Sequence, residues 1–217
     1  MGEEKKKTDW AEMIHLFPEK KQIDQSRLVS RLEKPKGKVD VILDTDTYNE
    51  IDDQFALAYL IKSDDKLNLE AIYAAPFYNH HSSGPGDGME KSYQEIMKVL
   101  DLMERPEFKE VTYRGSTTYL PSEEEAVDSP AARDLVRRAM ERDEDNPLYV
   151  VAIGAITNIA SAILLEPEII KKIVVVWLGG NALEWHDNHE FNLYQDVAAA
   201  RIIFGSGVPL VQLPCIL

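Results

Sequence analysis

Five carboxylates stand within the ten residues Asp44-Thr-Asp46-Thr-Tyr-Asn49-Glu50-Ile-Asp52-Asp53. Ionised together in one place they would repel one another strongly, so the cluster calls for a positive partner or for raised pKa values. Clustered oxygen donors suit a hard cation. The same groups can also stabilise positive charge that develops in a transition state. Two further polar segments have the makings of a site. One is Ile153-Gly154-Ala155-Ile156-Thr157-Asn158. The other is Leu178-Gly179-Gly180-Asn181, followed some ten residues on by Glu190-Phe191-Asn192-Leu193-Tyr194-Gln195-Asp196.

Each segment sits where a strand pattern gives way to a helix pattern. Residues 39–43 are apolar and β-branched, as in a buried parallel strand, and Phe55, Leu57, Ala58 and Ile61 begin a helical repeat beyond the acids. Strands are expected at 39–43, 69–74, 111–113, 149–153, 173–177 and 209–213, and helices at 52–63, 89–104, 130–142, 157–165 and 196–204. Such alternation predicts an α/β fold, a mainly parallel open sheet with helices on both faces. In such sheets ligands bind at the carboxyl edge of the strands, where the acids lie. The segment 79–88, rich in Gly, Ser and His, is expected to be a loop.

Composition narrows the function classes. A length of 217 residues, 44% of them hydrophobic, is enough for one sizeable core. The net charge of -14, from 24 Lys+Arg against 38 Asp+Glu, argues against nucleic acid or an anionic membrane as partner. A single cysteine, Cys215, excludes an internal disulfide and fits a reducing compartment. With no apolar signal core and no run long enough to span a membrane, a cytoplasmic location is expected. Residues 1–36 read as a charged N-terminal arm. It holds one short amphipathic turn around Trp10, Met13, Ile14, Leu16 and Phe17 and another at Leu28 and Leu32. The domain proper is expected to begin at residue 37.

The first acids alone also match the apolar-strand-Asp-x-Asp-x-Thr pattern of haloacid dehalogenase-type phosphotransferases. That chemistry needs an acidic pair at a later strand end, and none is present, so this reading stays an alternative. Taken together, the acidic cluster, the Gly154-x-x-Thr157-Asn158 segment and Glu190-Phe191-Asn192-x-x-x-Asp196 resemble the inosine-uridine nucleoside hydrolase family over about residues 38–214. The order of the three motifs along the strand ends is more specific than any one of them.

The resemblance implies hydrolysis of the N-glycosidic bond of ribonucleosides, or of a related pentosyl compound, with one Ca2+ as cofactor. It assigns Asp46 as the base that takes a proton from a Ca2+-bound water and as a metal ligand. Asp53 becomes a second ligand, and the backbone carbonyl of Ile153 completes part of the shell. Asp52, Glu190 and Asn192 would hold the ribose hydroxyls, with Asn79 nearby. Two departures add candidates. The family's Asp-x-Asp-Pro-Gly-x-Asp-Asp motif is replaced here by a longer loop, Thr47 to Ile51, so Asn49 and its neighbours border the site. The stretch before Glu190 is short, leaving Asn181 and Asn188 as alternative equivalents of a family asparagine, and Trp185 as a ring able to stack on a base.

Blander roles stand beside these. Asp44 reads as a structural partner of loop N–H groups, Asp52 and Asp53 as helix-capping acids, Thr157 and Asn158 as helix-start hydrogen-bonders, and Cys215 as inert. The family implies a further His-Asp pair beyond residue 217, and the strand near 208–213 is expected to be central and buried. Hence the alternative of a non-catalytic fragment or binding module that keeps a partial metal site. Exposed apolar strand surface would favour association, so a homo-oligomer is expected.

Overall fold

The computed structural model describes residues 23–216. The chain runs α1 (Gln25–Leu32), β1 (Val39–Thr45), α2 (Ile51–Lys62), β2 (Leu67–Ala74), α3 (Pro85–Leu102), a 3-10 turn (Pro106–Val111) and β3 (Thr112–Arg114). It continues through α4 (Pro130–Met140), β4 (Leu148–Ala152), α5 (Thr157–Leu165), a second 3-10 turn (Pro167–Lys171), β5 (Ile173–Leu178), α6 (Phe191–Gln195), α7 (Val197–Gly205) and β6 (Leu210–Leu213). The sheet order is β3-β2-β1-β4-β5-β6, and every pairing is parallel. The α/β expectation holds.

Alternation along β1 divides the core. Val41 and Leu43 face α2 and α3, packing on Leu57, Leu60, Ile61, Ile96 and Leu100. Ile42 faces the other way, into a larger core that α4, α5 and α7 close with Leu135, Ile159, Ile163 and Ile202. Full burial of a side chain such as Leu57 stabilises the domain by about 2 kcal/mol. Because the chain leaves β1 toward β2 and β3 on one side and resumes at β4 on the other, the strand order reverses between β1 and β4. A crevice opens at such a point above the carboxyl ends.

Four expectations need correction. The helix expected from residue 89 begins at Pro85, whose ring suits the first helical position, so the last turn of the supposed loop is helical. A five-residue helix, α6, precedes α7 because Glu190 caps it with its own side chain. The last strand is shorter than expected and lies at the edge of the described sheet, only part-buried, rather than at its centre. In α1 the buried residue is Arg31 and not the pair Leu28 and Leu32, of which Leu32 is 44% exposed. The amphipathic turn around Trp10 lies outside the described residues. Among those described, no helix is long and apolar enough to cross a membrane.

Candidate active site at the carboxyl edge of the sheet

Strand β1 delivers its acids to the crevice. Asp44 is the last but one strand residue. Asp46 follows in a tight turn closed by the Asn49 amide, which donates to the Asp46 carbonyl at 2.7 Å. Asp44 and Asp46 are buried, as is Asp53 in the first turn of α2. Asp52 and Glu50 beside them are exposed. The structure thus separates the five acids into three inside and two outside.

The three buried acids differ in their partners. Asn158 Nδ2 donates to Asp44 Oδ1 at 2.7 Å, and Asn158 is itself fixed by the Ser116 amide and hydroxyl, which donate to its Oδ1 at 2.7 and 3.0 Å. The Thr45 hydroxyl donates to Asp53 Oδ1, with Thr47 Oγ1 2.9 Å from Thr45 Oγ1. Asp46 Oδ2 and Asp44 Oδ2 are buried with no hydrogen-bond partner among the described residues. Burial pushes all three carboxyls up: Asp44 to about 7 despite its bond from Asn158, and Asp53 to about 7 despite Thr45. Asp46 is held well above the carboxylate range by burial and then by the charge of Asp53. Among the described residues no cation pairs with these acids, so the site asks for positive charge.

The other wall comes from the end of β4. A Cβ at Gly154 would sit 2.8 Å from Asp46 Oδ1, so glycine lets this strand end lie against the carboxylate where a larger residue would displace it. The neighbouring Ile153 carbonyl accepts from Asn192 Nδ2 at 3.1 Å and keeps a second lone pair. Among the described residues no three His, Cys, Asp or Glu side chains converge as a metal centre. A cation here would therefore draw on few carboxylates and on main-chain oxygen. The partnerless Asp46 oxygen, the uncompensated burial of three acids and the space left by Gly154 fit a hard, oxygen-seeking ion.

The remaining candidates divide. Asn79 Nδ2 donates to Asn49 Oδ1 at 2.6 Å, tying the loop after β2 to the turn after β1 at the rim. Asn192 bridges strand ends, donating to the Ile153 and Leu178 carbonyls at 3.1 and 2.9 Å. Glu190 is committed to backbone: its oxygens accept from the amides of Gly180 (2.6 Å), Asn192 (2.9 Å) and Leu193 (3.0 Å). Asn181 is buried and donates to the Asp187 carbonyl at 3.1 Å. Asn188 is exposed, and its carbonyl accepts from the Glu190 amide at 2.8 Å. Trp185 is 40% exposed with its ring 5.0 Å from that of His186. Cys215 Sγ lies 3.4 Å from Glu190 Oε1, and burial then the nearby carboxylate push its thiol up to about 11, so it stays protonated.

Several residues escaped the sequence reading. Thr45 holds Asp53 across the turn. Tyr119 donates its hydroxyl to Gln195 Oε1, which also accepts from the Tyr78 amide at 2.7 Å. Burial raises the pKa of the Tyr119 hydroxyl, and the charges of Asp196 and Asp46 raise it further. No local pattern marks Tyr119 or Gln195, because they meet only after the chain has crossed the sheet. Thr157 and Asn158 do not act as helix-start bonders. Thr157 Oγ1 donates to Asp196 Oδ2 at 2.7 Å and Asn158 serves Asp44.

A parallel sheet with its acids at the switch point defines an α/β protein built to bind at that edge. Comparison with known proteins gives the family. The chain belongs to the inosine-uridine preferring nucleoside hydrolases, whose family model matches residues 41–216. A pyrimidine-specific ribonucleoside hydrolase, RihA, of Salmonella paratyphi A is 28% identical over 196 residues, a match covering 79% of this chain and 58% of that protein. The chain thus spans under two thirds of the length of the curated relatives it matches. Among solved structures, a purine-preferring ribonucleoside hydrolase from Gardnerella vaginalis is similar at 26% identity, with a TM-score of 0.58 over 80% of this chain and 60% of that one. A plant nucleoside hydrolase shares the fold at 20% identity, with a TM-score of 0.60 over 82% and 60% of the two chains. Membership sets the phosphotransferase alternative aside.

Proposed function

We propose that this chain carries the sugar-and-metal half of a ribonucleoside N-ribohydrolase, with Asp46 as the general base. The observation that carries the reading is the buried Asp46 carboxyl, with one oxygen lacking a partner, at the switch point of a nucleoside hydrolase fold. Asp46, Asp53 and the Ile153 carbonyl are the residues that would hold Ca2+. When bound, the ion supplies positive charge that lets the acids stay ionised and lowers the pKa of the attacking water.

The chain's own groups then have defined tasks. Asp46 accepts the proton of the attacking water. Asp44 and Asp53 place negative charge beneath the ribose ring, where the oxocarbenium-like transition state develops positive charge. Asp52 and Asn79, at the rim, are positioned for ribose hydroxyls, and Asn49 orients Asn79. Glu190 and Asn192, assigned to the same hydroxyls by the resemblance, hold backbone groups instead. Those bonds would have to open for Glu190 to reach a sugar, which weakens its assignment as a ribose ligand. The second reading is a module that binds ribosides without turning them over.

One experiment separates the two. Reducing sugar released from inosine or uridine is measured with Ca2+ present, beside equilibrium binding of the same nucleosides. The hydrolase reading expects release that falls at least 100-fold in Asp46→Asn. Binding without release in the unaltered protein overturns it in favour of the binding module.

A further inference from the structure

The amino ends of the strands form a second edge of the sheet. Where β1 and β4 begin, at the edge opposite the acids, a cavity of about 710 Å3 opens between α1, the segment leading into β1 and the start of β4. Arg27, Arg31, Lys34, Lys36 and Lys38 line it, against only Glu33 and Asp145 among acidic residues, in a chain of net charge -14. Arg27 is already neutralised by Glu144 and by Asp145, the latter at 3.4 Å. The other four cations have no ion-pair partner among the described residues.

Arg31 is the unusual one. It is 8% exposed, the one buried residue of α1. Its Nη2 donates only a long bond of 3.4 Å to the Lys171 carbonyl, and its Nη1 is buried with no partner among the described residues. A guanidinium removed from water without a carboxylate is costly, and Arg31 is one of the residues that line the cavity. Burial accordingly lowers its pKa. A helix that placed leucine there would avoid the cost, so a charge at this spot implies an anion to meet it.

We propose that this cavity is a phosphate-binding site, with Arg31 as the buried anchor and Lys34, Lys36 and Lys38 as its rim. Several unpaired cations around one concavity suit a dianion better than a single carboxylate, and the guanidinium fork matches two phosphate oxygens. The volume falls in the range of small-molecule pockets and exceeds what a bare phosphate fills. Pro35, Pro147 and Tyr149 furnish an apolar wall for the organic part of an ester. The site is independent of the chemistry at the other edge and stands whether or not that edge hydrolyses nucleosides.

The test titrates the full chain, with EDTA present and ionic strength held by KCl, with inorganic phosphate and separately with phenyl phosphate, following heat and thermal midpoint. Saturable binding is expected for both probes, tighter for phenyl phosphate if esters are the natural ligands and equal if free phosphate is. Arg31→Met should weaken it at least tenfold. The rim variant Lys34→Gln with Lys36→Gln should weaken it several-fold, which keeps the test open if Arg31→Met does not fold. Absence of a saturable signal from either probe overturns the proposal. So does an affinity unchanged in every folded variant.

Discussion

Burial holds the Asp46 carboxyl well above the usual carboxylate range, and Gly154 lies close against it. Gly154→Ala would set a methyl 2.8 Å from Asp46 Oδ1 and 3.2 Å from the Ala75 Cβ. The backbone there is not left-handed, so the cost is local displacement, about 1–2 kcal/mol of stability. The expected outcome is a folded protein with at least tenfold less nucleoside hydrolysis, and wild-type activity in that variant would detach Asp46 from the chemistry. Behind it, Asn158→Ala removes the donor to Asp44 and strands the Ser116 amide, which should lower stability by about 2–3 kcal/mol in chemical denaturation. Clustering made Asp46 and Asp53 stand out in the sequence, while the resemblance to the family, and the longer first loop that departs from it, pointed to Asn79 and Asn49. The sequence misjudged the partners: Asn158 reads locally as a helix-start residue, and only the closure of α5 onto β1 gives it Asp44.

At the scale of elements, the helices with strong local signals were legible. The expected helix at 157–165 matches α5, while α3 starts early because Pro85 favours a first turn that a Gly-Ser-rich composition conceals. The way α4 docks on the sheet was not legible, since it runs through one buried carboxylate whose partner on the sheet, Tyr73, is 61 residues away in sequence. Asp134 of α4 accepts from the Tyr73 hydroxyl of β2 at 2.8 Å, from Arg138 at 2.6 Å and from Arg137 at 2.5 Å. Burial alone would push the Asp134 carboxyl up, but the bonds from Arg138, Arg137 and Tyr73 outweigh it and hold it below the ordinary value of 3.8. A carboxyl lowered on folding contributes stability that is complete above the unfolded pKa and is lost as pH falls through the folded one. Asp134→Asn should therefore cost roughly 3 kcal/mol near neutrality. The gap between variant and wild type in thermal melts should narrow as pH drops below 3.8. A gap that stays constant down to the acid limit would remove the ion pairs as its cause.

The whole molecule carries a net charge of -14 and gathers three buried carboxylates at one edge, so its stability should depend on what neutralises that edge. A ligand that binds only the folded state stabilises by about 2.7 kcal/mol at 100 times its dissociation constant. For a domain of this size that is a rise in thermal midpoint of roughly 5–10 °C. Calcium should produce such a rise, and magnesium a smaller one, because an irregular shell of carboxylate and carbonyl oxygens suits the larger ion and not a strict octahedron. Removing one acid should reverse sign with conditions. In EDTA, Asp46→Asn relieves the buried charge and should melt at or above the wild type. In calcium it forfeits the ligand and should melt below it. The crossing is the decisive readout, since a carboxylate retained only for packing would give a variant that moves in one direction in both buffers. Melts that run parallel with and without calcium would show that the acidic edge holds no ion.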